Sequence, residues 1–217
     1  GADTTVNVTA DTFNILGNQA VTDIETNVAT LGLTSAVTSI TETDGVILGA
    51  STVSSTLNLV AGGTISDSGD LSITGTSTFD NSGVGSGSNI TLNNSNTFGG
   101  DVTITTHAGS DVTINDSDAF VIQSGLNVNN LSITAGGAVT DAGDINIDGT
   151  LTVSASGQTI DLDGTGNAID GTISLTGDAV TLVDSSATVI AGITATGALS
   201  VTSGGAITQS GAIDADS

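Results

Sequence analysis

Two pairs of aspartates stand at matched places in this chain. Asp67 and Asp70 flank Ser-Gly, and Asp141 and Asp144 flank Ala-Gly at the equivalent place of a later, similar stretch. Calcium collects roughly six to eight oxygens from carboxylates, backbone carbonyls and water, so paired carboxylates at a bend are the residue types such a site needs. A chain without cations of its own would gain from the ion twice, by coordination and by screening. Asp116/Asp118, Asp161/Asp163 and Asp170 lie near other bends. Two facts oppose a dedicated site: the third matching place carries Gln209 and Ala212, and no Gly-Gly-x-Gly-x-Asp nonapeptide is present. Aspartate is also a turn-former that bonds its own backbone. Two readings therefore stand at Asp67, Asp70, Asp141 and Asp144: calcium ligation, or turn chemistry on a solvated face. No cofactor is required by either.

Other chemistries find less support. His107 is the single histidine, in Thr105-Thr-His-Ala-Gly-Ser, and no serine or acid forms a recognisable triad with it. Nucleophilic catalysis needs an oriented base and an oxyanion site as well, so His107 reads as a bend residue and the chain is expected not to be an enzyme. A polysaccharide lyase would want Lys or Arg in its cleft, and neither exists here. The pairs Gly62-Gly63, Gly136-Gly137 and Gly204-Gly205 resemble a phosphate cradle only superficially. Without the following Lys and helix they read as structural corners, which take positive φ or let neighbouring backbones approach.

Those residues must be positioned by an unusual background. The 217 residues contain no Lys, Arg, Pro, Cys, Met, Trp or Tyr, and the formal net charge is −23. All acids are Asp except Glu25 and Glu42, a bias toward turns and away from helices. Nucleic acid binding rests on cations that neutralise phosphate, so it is excluded, and anionic lipid surfaces would be repelled. No apolar run approaches the length of a membrane span, so no membrane insertion is expected. The absence of cysteine removes disulfides and thiol chemistry. Disorder is countered by the 37% hydrophobic content, which falls in strict alternation. Phe13, Phe79, Phe98 and Phe120 read as core or corner packers.

The alternation comes in doublets: Leu57/Leu59, Leu71/Ile73, Ile90/Leu92, Val112/Ile114, Leu131/Ile133, Ile145/Ile147, Leu151/Val153, Ile173/Leu175, Val180/Leu182 and Leu199/Val201. A side-chain period of two puts both aliphatics on one face and the intervening Thr, Ser, Asn or Asp on the other, the mark of a short half-buried strand. Gly and Asp pairs break the chain at short, regular intervals, as expected of an all-β protein.

The doublets sit inside a longer repeat. Leu57–Gly69, Leu131–Gly143 and Leu199–Gly211 are variants of one string, and Val37–Gly49 aligns with Val112–Ser124 and Val180–Gly192. Such repeats bury their apolar faces only by stacking on one another. The fold predicted is one continuous parallel β-solenoid over 1–217, with units of about 72 residues at roughly 1–70, 71–144 and 145–217. Each unit should hold three or four rungs of roughly 18–24 residues. The last unit is expected to continue beyond residue 217. If a second copy followed, its Leu57 would fall one repeat length after Leu199, in step with the internal spacing.

The strings Leu199 to Ala212, Leu131 to Asp144 and Asn96 to Ile104 resemble the repeats of giant bacterial surface proteins of the filamentous-haemagglutinin type. The resemblance covers most of 36–217 and implies a right-handed parallel β-helix, exported by a Gram-negative bacterium and used as an adhesin shaft. The Asn-Pro-Asn-Gly motif of the family's secretion domain is missing, so the resemblance is to shaft and not to export signal. It carries over no catalytic residue.

The function expected is structural: a stiff acidic rod outside the cell or on its outer surface, whose first partner is itself, head to tail or as neighbouring repeats, with other cells or surfaces beyond. The alternative is a ligand-binding module, either an adhesin tip or an ice-binding face built on Thr-x-Thr strings such as Thr103-Ile-Thr105. The lack of Trp and Tyr favours shaft over tip.

Overall fold

A computed structural model of the chain describes residues 9–16, 21–36, 38–83, 85 and 87–216, with side chains placed from residue 30 onward except Ser35 and Thr38. The reading of Phe13 as a packer lies outside the described side chains. Every element among the described residues is a β-strand, and every strand pairing is parallel. The chain is an all-β solenoid whose short strands stack rung upon rung. It divides into two compact units, Gly1–His107 and Ala108–Ser217.

In the first unit Thr38–Glu42, Leu57–Ala61, Ser77–Asp80 and Val102–Thr105 lie one above another. Thr38 pairs with Leu57, Leu57 with Ser77 and Ser77 with Val102, so the third step from rung to rung is longer than the first two. That step carries the Gly- and Ser-rich stretch between Asp80 and Ile90. Asn81 anchors the base of that stretch. It is fully buried, and its Nδ2 donates to the carbonyl of Ser88 at 2.8 Å and to that of Gly63 at 3.3 Å. Val46–Leu48 on Ile65–Asp67, and Ser51–Val53 on Leu71–Ile73, make the other faces.

Inside run columns of Leu, Ile and Val. Ile40, Leu59, Ile65, Ile90 and Leu92 are wholly excluded from solvent. Phe79 and Phe98 meet edge to face with ring centroids 5.9 Å apart, the offset geometry aromatic quadrupoles prefer. Each fully buried aliphatic contributes about 1.5–3 kcal/mol by transfer from water.

The second unit has three faces. Val112–Asp116, Leu131–Ala135, Leu151–Ser154 and Thr172–Gly177 form one; Phe120–Ile122, Val139–Asp141, Ile160–Leu162, Val180–Asp184 and Leu199–Ser203 form the next; Asn127–Val128, Asn146–Ile147 and Ala168–Ile169 form the third. Along the second face Phe120, Val139, Ile160, Val180 and Leu199 stand in one column, and the steps between them are nearly even.

These pairings correct one sequence alignment. Thr38, Val112 and Val180 are the equivalent residues, because they pair with Leu57, Leu131 and Leu199. The string aligned on Val37 is therefore one position out of step with the other two.

Candidate functional site

At Ser68-Gly69 the chain turns a corner between Ile65–Asp67 and Leu71–Ile73, while the strand above, Ile90–Phe98, crosses it without a break. That strand pairs with Ile65 and Ser66 at one end and with Ser72 and Ile73 at the other. Its middle amides have no strand beneath them, so their N–H groups need acceptors from elsewhere. The two aspartates supply the acceptors. Asp67 Oδ1 accepts the Asn93 N–H at 3.0 Å, Asp67 Oδ2 that of Asn94 at 3.2 Å, and Asp70 Oδ1 that of Ser95 at 3.1 Å. Asn96 is fully buried and completes the clamp. Its Nδ2 donates to Asp67 Oδ2 at 2.8 Å, and its Oδ1 accepts the Leu71 N–H at 2.8 Å.

The second pair does the same work. Asp141 Oδ2 accepts from Gly164 N–H at 3.2 Å and from Asn167 Nδ2 at 2.6 Å, and Asp144 Oδ1 accepts from Gly166 N–H at 2.8 Å. Asn167, also fully buried, accepts the Ile145 N–H on its Oδ1 at 3.0 Å. Leu71 and Ile145 are equivalent residues of the repeat, and the two clamps share the same plan of paired aspartates, backbone N–H donors and one buried asparagine. Hydrogen bonds to a carboxylate are about twice as strong as neutral ones, which suits aspartate to replacing an absent strand. Among the described residues no group of three or more His, Cys, Asp or Glu side chains stands ready to hold a metal ion.

A second constellation recurs three times. Glu42, Asp116 and Asp184 end equivalent strands and are all but excluded from solvent. Their carboxylates accept from turn amides and, in Asp184, from hydroxyls as well. Asp116 Oδ1 accepts the Asp118 N–H at 3.1 Å, and Asp184 Oδ1 accepts the Ser186 N–H at 3.0 Å, the local bonding that aspartate favours at turns. Glu42 Oε1 accepts the Thr43 N–H at 3.2 Å. Asp184 does more: Oδ1 also accepts from Ser186 Oγ at 2.9 Å and from the Ile169 N–H at 3.3 Å, and Oδ2 from Thr188 Oγ1 at 3.0 Å. It thereby covers the edge of Ala168–Ile169, where the third face ends.

The glycine pairs lie directly above these acids. Gly62, Gly136 and Gly204 donate to the carbonyls of Glu42, Asp116 and Asp184 at 2.7, 2.9 and 2.7 Å. A Cβ on any of the three would fall onto the carbonyl oxygen of Thr43, Ser117 or Ser185. On the second glycine of two pairs, Gly63 and Gly137, it would stand 2.6 Å from the backbone nitrogen of Gly45 or Ala119, and on Gly205 3.0 Å from Ala187 Cα. Close approach between rungs, not positive φ, is what these corners need. His107 is exposed.

Sequence reasoning singled out the paired aspartates and the glycine pairs but missed Asn96, Asn167, Glu42 and Asp184, and placed Asp116 only near a bend. The acids left a signal in Ile40-x-Glu42, Ile114-x-Asp116 and Leu182-x-Asp184, each an inward aliphatic followed at the next inward position by a carboxylate.

Residues 34–105, 109–176 and 177–216 each match the model of one family, described as repeats of unknown function (DUF5649). No curated protein and no solved structure matches the chain.

Proposed function

The chain belongs to the DUF5649 family of repeats of unknown function, and we propose that it serves as a structural element, a stiff acidic spacer or adhesin shaft outside the cell. One observation carries this reading. The polar groups with the most elaborate bonding, the Asp67/Asp70/Asn96 and Asp141/Asp144/Asn167 clamps and Asp184 through the Ile169 N–H, are occupied in holding one rung to the next. A protein whose distinctive polar chemistry is spent on rung stacking is built for shape. The resemblance to filamentous-haemagglutinin-type repeats supports an outer surface location on a Gram-negative bacterium. The lack of Lys and Arg removes every trypsin-type cleavage site, a benefit to an exposed fibre. Net charge of one sign would keep like fibres apart at low salt.

Small-angle X-ray scattering of the purified chain tests this. A slender particle of constant cross-section is expected, with oriented samples giving an axial reflection near the ~4.8 Å strand spacing. A compact, near-spherical distance distribution would sink the shaft reading.

A second reading draws on one face. Outward positions of the second unit form two uncharged files in register, Thr113, Ser132, Thr152 and Ser174 beside Asn115, Thr134, Ser154 and Thr176. A file of hydroxyls and one amide on a chain otherwise rich in aspartate is where a neutral ligand, ice or a glycan chain, would meet least charge. An ice-recrystallisation assay, with Thr134→Lys as the variant, decides it: no inhibition by the parent protein removes the ice arm.

A further inference from the structure

We infer that the first unit encloses a binding site for a single water molecule, held between the side-chain amide of Asn81 and the hydroxyl of Thr106 at the root of the long rung. The site is separate from the clamps and from the buried acids, and it stands whether or not the chain serves as a shaft.

In this unit one column of inward positions carries Glu42, Ala61, Asn81 and Thr106 on successive rungs. The register sets it out: Glu42 pairs with Ala61, Val60 with Asp80 and Asp80 with Thr105, and the residue after each of the last three stands in the column. The Asn81 N–H donates to the Thr105 carbonyl at 3.0 Å, which carries the same register one residue on. The column beside it is apolar throughout: Ile40, Leu59, Phe79 and Ile104. In the second unit the matching column runs Asp116, Ala135, Ala155 and Gly177, so beyond the acid it holds only methyl groups and a hydrogen. An amide and a hydroxyl side by side in this place belong to the long rung and the strand that follows it.

Both groups need a partner. Asn81 is fully buried, and its Nδ2 is committed to carbonyls, donating to Ser88 at 2.8 Å, Gly63 at 3.3 Å and Asn89 at 3.5 Å. Those bonds settle which end of the amide is nitrogen and leave Oδ1 as an acceptor. Asn81 Oδ1 and Thr106 Oγ1 are both shut off from solvent, and among the described residues no group bonds either atom. Buried polar atoms are met by protein or by ordered water, because leaving them unpaired is costly.

The chemistry selects the ligand. Neighbouring strands lie about 4.8 Å apart, a gap that two hydrogen bonds of about 2.8 Å through one oxygen can span. The molecule must donate to Asn81 Oδ1 and meet a hydroxyl that can donate or accept, and water does both with the two partners a buried water needs at least. Calcium would ask for roughly six to eight oxygens, far more than these two groups supply. Such a water links Thr106 to the corner at which the Gly- and Ser-rich stretch departs, through the same amide that holds Ser88 and Gly63.

Thr106→Val, close in shape but without the hydroxyl, tests the inference because the two alternatives move stability in opposite directions. With a bridging water, the variant loses the bridge and strands Asn81 Oδ1, so the folded-to-unfolded ratio should fall roughly threefold to tenfold, read as a lower urea midpoint. With an unpaired hydroxyl, its removal relieves a penalty and the midpoint rises. Thr106→Ser keeps the hydroxyl and should stay near the parent. Magnetic relaxation dispersion of the solvent counts long-lived internal waters, and that count should drop by one from the parent to Thr106→Val. An unchanged or raised midpoint in Thr106→Val overturns the inference. So does an equal water count in parent and variant, or a loss in Thr106→Ser as large as in Thr106→Val.

Discussion

Asn96 bonds Asp67 and, through its other amide atom, the backbone of Leu71, so one buried side chain ties a rung to both sides of the corner beneath it. Asn167 repeats the arrangement with Asp141 and Ile145. Removing the amide leaves the buried Leu71 N–H without its acceptor, worth about 1–3 kcal/mol, and takes one donor from the half-buried Asp67 carboxylate. Asn96→Ala should therefore destabilise the first unit by about 2–4 kcal/mol, while Asn94→Ala, which keeps its backbone N–H on Asp67, should change stability by about 0.5 kcal/mol or less. Hydrogen exchange at the Leu71 amide reads the effect locally, with roughly tenfold faster exchange for every 1.4 kcal/mol. Equal behaviour of the two variants would show that the clamp carries no weight.

Gly136 is held by space. A methyl group there would meet the Ser117 carbonyl oxygen, whereas one on Gly83 would meet nothing within 4 Å. Gly136→Ala should cost about 3 kcal/mol or more by forcing two rungs apart, and Gly83→Ala should lie within about 0.5 kcal/mol of the parent. Urea titration followed by circular dichroism separates them. A neutral Gly136→Ala would mean that the rungs yield easily at this corner.

Asp184 accepts from Ser186, Thr188 and Ile169. Asn at this place retains one acceptor oxygen and Ala none, so stability should fall in the order Asp, Asn, Ala, the last step leaving several buried donors unmatched at about 1–3 kcal/mol each. Exchange of the Ile169 amide should quicken in the same order. Protection at Ile169 that survives Asp184→Ala would show that the edge is held by something else.

Much of the architecture was legible because it is local. Alternating doublets such as Leu57/Leu59 and Ile173/Leu175 declare their inner face without reference to any other strand, and both pairs are buried. Rung length was not legible in the residues themselves: the range of roughly 18–24 came from the periods of known solenoid repeats, and the step between Ser77 and Val102, which the stretch after Asp80 extends, exceeds it. The clamps were not. Asn96 looks like any other asparagine in Asn93-Asn-Ser-Asn because its partners, Asp67 and Leu71, are remote in the chain, and only the stacking of rungs brings them together. Glu42 was hidden by a slip of one position, which exchanges inner and outer faces of a strand and set it against Ser117 and Ser185 instead of Asp116 and Asp184.

Divalent cations distinguish the two roles open to the paired aspartates. Asp67 uses both carboxylate oxygens for amide donors, and Asp141 Oδ2 accepts from two groups at once, so a cation binding there must displace bonds that hold rungs together. Screening asks for no such exchange. Magnesium demands a stricter octahedral shell than calcium and gives up its water reluctantly, so coordination would tell the two ions apart while screening would treat them alike. Calcium and magnesium are accordingly expected to promote association of the chain at similar concentrations, as read by sedimentation. Neither should raise the thermal midpoint in a manner dependent on Asp67 or Asp141. A calcium-specific rise in the midpoint that magnesium does not reproduce, and that Asp141→Asn abolishes, would establish ligation at the clamp and overturn the assignment of these carboxylates to the backbone.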